Sequence, residues 1–176
     1  MHYYALLQIG DVLVERANGD DIKIGDFGLA QRLVPGKPLI LEYGHPEYVA
    51  PEIAKKQEAT LAADMWSVGM ITYVLLCGMH PYLGANDRET LENLKSGSVP
   101  SFTSGFFSEI SDEARHFLSN MLVHDPKGRL DVSKALDHPW FRHRYAHGSA
   151  DRELSCIDNL REYRKSWRNW VSWFLV

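Results

Sequence analysis

The hydrophobic residues of the chain change their spacing about fifty residues from its start. Val12–Val14 and Ile22–Ile24 are short β-prone runs, and Asn18-Gly19 between them favours the positive φ angles of a tight turn. Together they predict a β-hairpin. From residue 31 to residue 48 the chain carries three prolines and two glycines, which predict a long irregular loop.

After residue 51 the hydrophobic spacing becomes helical. Residues 64–77 are apolar on nearly every face, a pattern typical of a helix at the centre of a core. Gly78 and Pro81 follow directly and predict the end of that helix. The sequence therefore predicts one buried central helix, with other elements packed around it.

Three further helices are predicted by polar residues that precede amphipathic runs. The first is expected to run to about residue 95 and the last to end before Pro139. The residues expected to cap them are Asn86, Ser111 and Asp131.

Composition and charge narrow the class of protein. A chain of 176 residues is long enough to bury one sizeable core, and its net charge of −4 does not suggest a nucleic-acid partner. The apolar run Met65–Met79 is too short to span a bilayer. The whole chain has only two cysteines, and one of them, Cys77, lies within that apolar run. This low number indicates a reducing compartment. We expect a soluble, cytoplasmic protein without a transmembrane segment.

Six short motifs follow one another from residue 26 to residue 141. Asp26-Phe27-Gly28 is followed by Gly-His-Pro-Glu-Tyr-Val-Ala-Pro-Glu at 44–52 and Asp-Met-Trp-Ser-Val-Gly at 64–69. Gly-Met-His-Pro-Tyr at 78–82, His-Asp-Pro-Lys-Gly-Arg at 124–129 and His-Pro-Trp-Phe at 138–141 complete the series. In this order, residues 11–145 resemble the C-terminal lobe of a protein serine/threonine kinase.

The resemblance implies a fold class and a group. The expected fold is mainly α, a kinase-like helical lobe with a small β-hairpin and no N-terminal lobe. The motifs at 78–82 and 138–141 are similar to those of the calmodulin-dependent kinase group. Gly-Leu-Ala-Gln-Arg-Leu at 28–33 is most similar to the kinases of giant muscle proteins such as titin, twitchin and obscurin, and to myosin light chain kinases. That similarity implies a possible location at the sarcomere.

The resemblance also implies ATP and Mg²⁺ as cofactors and gives roles to residues near the hairpin. Asp26 would hold Mg²⁺ that bridges the nucleotide phosphates, and Phe27 would pack beneath it while Gly28 completes the turn. Leu13 would touch the adenine ring, although an apolar strand residue is equally well an ordinary core residue.

Other matched residues are expected to be structural. Glu52 and Arg129 would form a buried bidentate ion pair that holds the loop without performing chemistry. Asp64 would bond backbone amides of the catalytic loop, a role compatible with that of a plain helix cap.

Residues 1–10 depart from the kinase pattern. Aligned without gaps, residues 4–11 stand where such kinases read His-Arg-Asp-Leu-Lys-Pro-Glu-Asn. Leu6 replaces the catalytic Asp, and the uncharged Gln8 replaces the Lys, so the chain offers no catalytic residue. Asp11, in the place of Asn, could still bind a metal. We expect residues 1–10 to be foreign to the fold, the chain to be a truncated product, and the isolated chain to be inactive.

The activation segment and the tail complete the predictions. Between Leu29 and Glu47 there is no Ser or Thr, so only Tyr43 and Tyr48 offer hydroxyls for modification. Residues 146–176 form a basic tail, and apolar residues at helical spacing in 154–173 predict an amphipathic helix that could bind calmodulin or a membrane surface. The same helix could instead dock on its own lobe or link to a following domain.

Two functions remain open from the sequence. The clean match of the motifs from Asp26 onward favours a fragment of an active kinase that acts on protein substrates. The replacements at Leu6 and Gln8 favour a non-catalytic interaction or scaffold module.

Overall fold

A computed structural model of the chain describes residues 2–4, 7–14, 21–41, 44–98, 100–102, 107 and 110–141. Four short strands are β1 His2–Tyr4, β2 Val12–Val14, β3 Ile22–Ile24 and β4 Gln31–Leu33. Five helices follow: α1 Pro51–Ala54, α2 Ala62–Cys77, α3 Asp87–Lys95, α4 Asp112–Met121 and α5 Val132–Leu136.

The predicted hairpin is present. Strands β2 and β3 pair antiparallel, with Val12 opposite Ile24 and Val14 opposite Ile22. The Asn18-Gly19 turn expected between them lies outside the described residues. This hairpin places the residues before β2 and after β3 at the same end.

The stretch expected to be a long irregular loop begins with a strand. β4 pairs antiparallel with β1, so that Tyr4 lies opposite Gln31. Leu7 and Ile9, which follow β1, pack against the hydrophobic core. Residues 1–10 are predicted to be foreign to the fold, whereas among those that the structure describes β1 pairs with β4 and Leu7 and Ile9 contact the core. The reason is that β4 forms through pairing with a partner remote in sequence, which no local pattern reveals.

Helix α2 lies at the centre of the core, as predicted. Trp66, Met70 and Val74 are fully buried on it. The helix begins at Ala62, two residues before the predicted start, and ends at Cys77, with Gly78 as its C-terminal cap. Gly78 adopts φ 72°, the left-handed conformation that favours glycine at a helix end.

The three predicted helix caps are confirmed. Asn86 accepts a hydrogen bond from the Glu89 N–H at 3.0 Å, and Ser111 accepts one from the Ala114 N–H at 3.2 Å. Asp131 accepts a hydrogen bond from the Lys134 N–H at 2.9 Å. These bonds satisfy N–H groups that the first turn of a helix leaves unpaired.

None of the helices in the described part of the chain is both long and apolar enough to cross a membrane.

Candidate functional site

The Asp26-Phe27-Gly28 turn begins where β3 ends. Asp26 has φ 51°, a left-handed backbone that Asp tolerates better than most residues. Its Oδ1 accepts a hydrogen bond from the Gly28 N–H at 3.2 Å, which closes the turn locally. The carboxylate itself is exposed, so one acidic group faces solvent at this end of the hairpin.

Asp11 lies at the same end, just before β2. Its backbone carbonyl accepts a hydrogen bond from the Gly25 N–H at 2.8 Å, which joins the two arms beside Asp26. The Asp11 side chain is buried, with 5% of the residue exposed. Its Oδ2 accepts from the Gln8 N–H at 3.0 Å, and its Oδ1 accepts from Gln8 Nε2 at 3.2 Å.

This arrangement does not fit a magnesium site with two carboxylates. Mg²⁺ requires oxygen ligands at about 2.0–2.1 Å in near-octahedral order, and both Asp11 oxygens are already occupied by N–H donors. Within the described ranges, no group of three or more acidic, His or Cys side chains is placed to hold a metal. Of the two carboxylates that the structure describes at this end of the hairpin, that of Asp26 is the exposed one.

Leu13, expected to touch the adenine ring, and Phe27, expected to pack beneath the Mg²⁺ held by Asp26, are both exposed. Leu13 is 54% exposed and Phe27 is 60% exposed, so neither packs into the core of the described residues. On β2 the side chains alternate, because Val12 faces the core while Leu13 faces outward. The adenine contact of Leu13 therefore stays a prediction. Leu6, at the position of the catalytic Asp, lies outside the described residues.

Glu52 and Arg129 form a bidentate ion pair, as their motifs predicted. Arg129 Nη1 donates to Glu52 Oε1 at 2.9 Å and Arg129 Nη2 donates to Oε2 at 3.0 Å. The Arg129 side chain is 0% exposed and the Glu52 side chain is 2% exposed. This contact fixes α1 against the segment that precedes α5.

The rest of the guanidinium is also satisfied. Arg129 Nε donates to the Val123 carbonyl at 3.1 Å, and Nη1 also donates to the Ala62 carbonyl at the start of α2. The guanidinium carbon lies 5.1 Å from the centre of the Trp66 ring, within the range of a cation–π contact. Arg129 thus connects α1, the start of α2 and the segment around Val123. The contact between Arg129 and Trp66 was not predicted from the sequence.

The loop that precedes α1 is anchored on the core through polar contacts. Ser67 Oγ, on α2, donates to the Tyr48 carbonyl at 3.0 Å. His80 Nε2 donates to the Glu47 carbonyl, while His80 Nδ1 accepts from the Tyr82 N–H at 3.3 Å. This pair of bonds requires the neutral ring with its proton on Nε2, and burial lowers the pKa of His80.

Two further predictions about this region are altered by the structure. Tyr48 is only 1% exposed, so its hydroxyl is not accessible to a modifying enzyme in this conformation, and Tyr43 lies outside the described residues. Asp64 is half-buried in the first turn of α2, and Leu61 occupies the cap position instead. The bonds predicted from Asp64 to the catalytic loop stay a prediction.

Sequence reasoning missed the pairing of Gln8 with Asp11. The signal was available, since two polar residues three apart around a short turn are spaced to satisfy each other's groups.

The comparisons with known proteins agree with the motifs. The family described as "Protein kinase domain" matches residues 7–141. Smooth-muscle myosin light chain kinase of Gallus gallus is 39% identical over 160 residues, which cover 90% of this chain and 8% of that protein. The titin homolog of Caenorhabditis elegans is 39% identical over 155 residues, which cover 88% of this chain and 1% of that protein.

Solved structures show the same likeness. The twitchin kinase region from C. elegans has a TM-score of 0.82 at 32% identity and covers 94% of this chain and 29% of that chain. The autoinhibited serine kinase domain of the giant muscle protein titin has a TM-score of 0.81 at 31% identity. The match covers 92% of this chain and 50% of that chain. The chain spans half or less of the length of each of these relatives. With its helices, its small antiparallel sheets and its ordered motifs, the chain belongs to the protein kinase family, and kinases of muscle proteins are among its relatives.

Proposed function

We propose that residues 11–145 are the substrate-side lobe of a muscle-type serine/threonine kinase. The reaction that such kinases catalyse is the transfer of the γ-phosphoryl group of Mg·ATP to a protein hydroxyl. The observation that carries this proposal is the buried Glu52–Arg129 pair. It ties the loop after Asp26 to the helical core and performs no phosphate chemistry itself, which is the role expected of a loop anchor.

We further propose that the 176-residue chain does not transfer phosphoryl groups by itself. The reaction needs an acceptor for the hydroxyl proton and a cation at the transferred phosphate. Leu6 has no atom that accepts a proton, and Gln8 has no charge. The backbone N–H and the side-chain amide of Gln8 both donate to the Asp11 carboxylate. Asp26 remains the proposed metal ligand and Leu13 the proposed adenine contact.

The test is incorporation of labelled phosphate from ATP into a basic serine-containing peptide. The 176-residue chain is expected to give the background rate of a sample without enzyme. A longer protein in which coding sequence of the same gene replaces residues 1–10 and supplies the catalytic Asp and Lys is expected to incorporate label, and Asp26→Asn in that longer protein is expected to abolish it. Transfer by the 176-residue chain alone would contradict the proposed inactivity.

A second candidate is a non-catalytic interaction module. It is favoured by the replacement of both chemical positions by Leu6 and Gln8, which leaves a helical surface without its reaction centre. The longer protein distinguishes the two candidates, because recovered phosphoryl transfer excludes the second, whereas no transfer favours it.

The domain limits and the tail stay predictions. We propose the boundaries 1–10, 11–145 and 146–176, calmodulin as a partner of residues 154–173, and a sarcomeric location in line with the muscle proteins among the relatives. The tail lies outside the described residues, so its support is the spacing of its apolar and basic residues.

A further inference from the structure

Four hydrogen bonds hold Asp11 in place. Its N–H donates to the Gln8 carbonyl at 3.0 Å, and its own carbonyl accepts from the Gly25 N–H at 2.8 Å. Its two carboxylate oxygens accept from the Gln8 N–H and from the Gln8 side-chain amide. Between these residues the chain makes a single 3₁₀ turn, Ile9–Asp11. The carboxylate therefore closes a turn in the way that a capping side chain closes a helix end.

We propose that Gln8 is a positioning residue that makes Asp11 a structural cap instead of a metal ligand. Asp26 is then the one carboxylate at this end of the hairpin, among the described residues, that is left to meet a cation. The proposal concerns the metal part of the site in the proposed function, and it is tested below without any measurement of phosphoryl transfer.

The geometry favours a cap because each oxygen of this buried carboxylate already accepts an N–H, which leaves a cation only the remaining lone pairs of a side chain that solvent barely reaches. Each oxygen of Asp11 faces an N–H hydrogen, which carries partial positive charge where a metal would bind. The backbone N–H of Gln8 cannot turn away without opening the 3₁₀ turn. Opening it would also disturb Leu7 and Ile9, which pack against the core on either side of Gln8.

The rival interpretation is that a buried negative charge attracts a cation. No cationic side chain in the described part of the chain pairs with Asp11, and burying an uncompensated carboxylate is costly. Two amide donors reduce that cost, because hydrogen bonds to a charged acceptor are about twice as strong as neutral ones. The two interpretations differ in what happens when the charge is removed.

The experiment combines urea unfolding with Mn²⁺ binding, the latter followed by the paramagnetic resonance signal of free Mn²⁺, on the full 176-residue chain. Asp11→Ala is expected to lower the urea midpoint clearly, because it leaves the Gln8 N–H without an acceptor. Asp11→Asn keeps an acceptor oxygen and is expected to retain most of the midpoint. Asp26→Asn is the matched control, since Asp26 is exposed and its loss is expected to leave the midpoint unchanged.

The Mn²⁺ measurement separates positioning from a merely structural role. Asp11→Asn is expected to leave Mn²⁺ binding within twofold of the original chain. Gln8→Ala frees Oδ1 of Asp11 and is expected to tighten Mn²⁺ binding at least threefold, a gain that disappears when Asp11→Asn is added. The proposal is overturned if Asp11→Asn weakens Mn²⁺ binding fivefold or more, if Gln8→Ala leaves it unchanged, or if Asp11→Ala keeps the original midpoint.

Discussion

Arg129 shows how one side chain holds distant parts of the chain together. Its guanidinium meets the Glu52 carboxylate, two main-chain segments and the face of Trp66, with no solvent exposure. A buried ion pair adds little over a well-packed apolar pair, but removal of one partner leaves a charge buried without its counter-ion.

Glu52→Gln is therefore expected to destabilise the fold by about 3–5 kcal/mol. The Arg129 charge would remain buried with neutral acceptors only. The measurement is the free energy of unfolding by urea, followed by far-ultraviolet circular dichroism.

The matched control is the exposed pair Arg88–Glu92 on α3, at 3.1 Å with side chains 86% and 61% exposed. Glu92→Gln is expected to change the free energy of unfolding by less than about 0.5 kcal/mol, as is usual for exposed pairs within a helix. Equal effects of the two substitutions would show that burial of Glu52 does not decide its importance.

At the residue scale, the sequence predicted a contact between two residues that each stand in a recognised motif, and it missed contacts that no such motif specifies. Glu52 and Arg129 were paired correctly because each is identified by its own short motif. The contact of Trp66 with Arg129 depends on how the chain folds back, and nothing in their spacing alone indicates the partner. The Gln8–Asp11 pair is local, and its three-residue spacing was a signal that the comparison with the kinase motif left unused.

At the scale of elements, the contact between α2 and α4 depends on Gly69. A Cβ atom at Gly69 would lie 2.9 Å from Leu122 Cδ2 and 2.9 Å from Met121 Cβ. Met121 Cβ is fixed to the backbone of α4 and cannot swing away. The close approach of the two helices therefore requires a residue without a side chain, although glycine is a poor helix former.

Gly69→Ala is expected to lower the free energy of unfolding by about 1–2 kcal/mol, because the overpacking penalty of about 1–3 kcal/mol exceeds the gain in helix propensity of up to about 1 kcal/mol. The measurement is again urea unfolding. In combination with Leu122→Ala, which removes one of the two close contacts, the penalty of Gly69→Ala is expected to shrink. A stability at or above that of the original chain would contradict the proposed close packing.

Elements were predictable where the chain carries its own local signals. Asn86, Ser111 and Asp131 mark helix starts with side chains that bond within three residues, so their role is readable from sequence. Strands β1 and β4 carry no such signal, because no short turn joins them and each is stabilised by pairing with a partner remote in sequence. That difference explains why the helices were placed well and the second sheet was not foreseen.

At the scale of the whole molecule, buried histidines couple folding to pH. Burial is the first cause of a lowered pKa at His80, His124 and His138. Two of these rings also accept backbone N–H bonds through Nδ1: His80 from Tyr82 at 3.3 Å and His138 from Trp140 at 3.2 Å. Protonation of Nδ1 removes the acceptor, so the folded state favours the neutral rings.

The stability of the fold is expected to decrease as the pH falls below about 6.5, the ordinary pKa of His in an unfolded chain. The folded-state pKa values are lower, so the unfolded chain binds more protons in the window beneath that value, and the stabilisation from the neutral rings is complete above it. The urea midpoint should therefore be level between pH 7 and 8 and fall from pH 6.5 towards pH 5.

His138→Asn is the matched variant for this pH dependence. An Asn oxygen can accept the Trp140 N–H and does not titrate, so the decrease between pH 6.5 and 5 should become shallower. The pKa of Asp131 is lowered, first by the hydrogen bond that its carboxylate accepts from the Lys134 N–H. This shift affects stability only below about pH 4, the ordinary pKa of Asp, and so does not overlap the histidine window. A midpoint that rises from pH 7 to pH 5.5 would contradict the prediction.

The distance along the chain between Glu52 and Arg129 also orders events during synthesis. The two residues are 77 positions apart, and ribosomes add about 5–20 residues per second, so roughly 4–15 s separate the appearance of the acid from that of its partner. Throughout that interval the Glu52 carboxylate lacks the guanidinium of Arg129. Helix α1 therefore cannot reach its final anchored form on a nascent chain until the segment before α5 has left the ribosome.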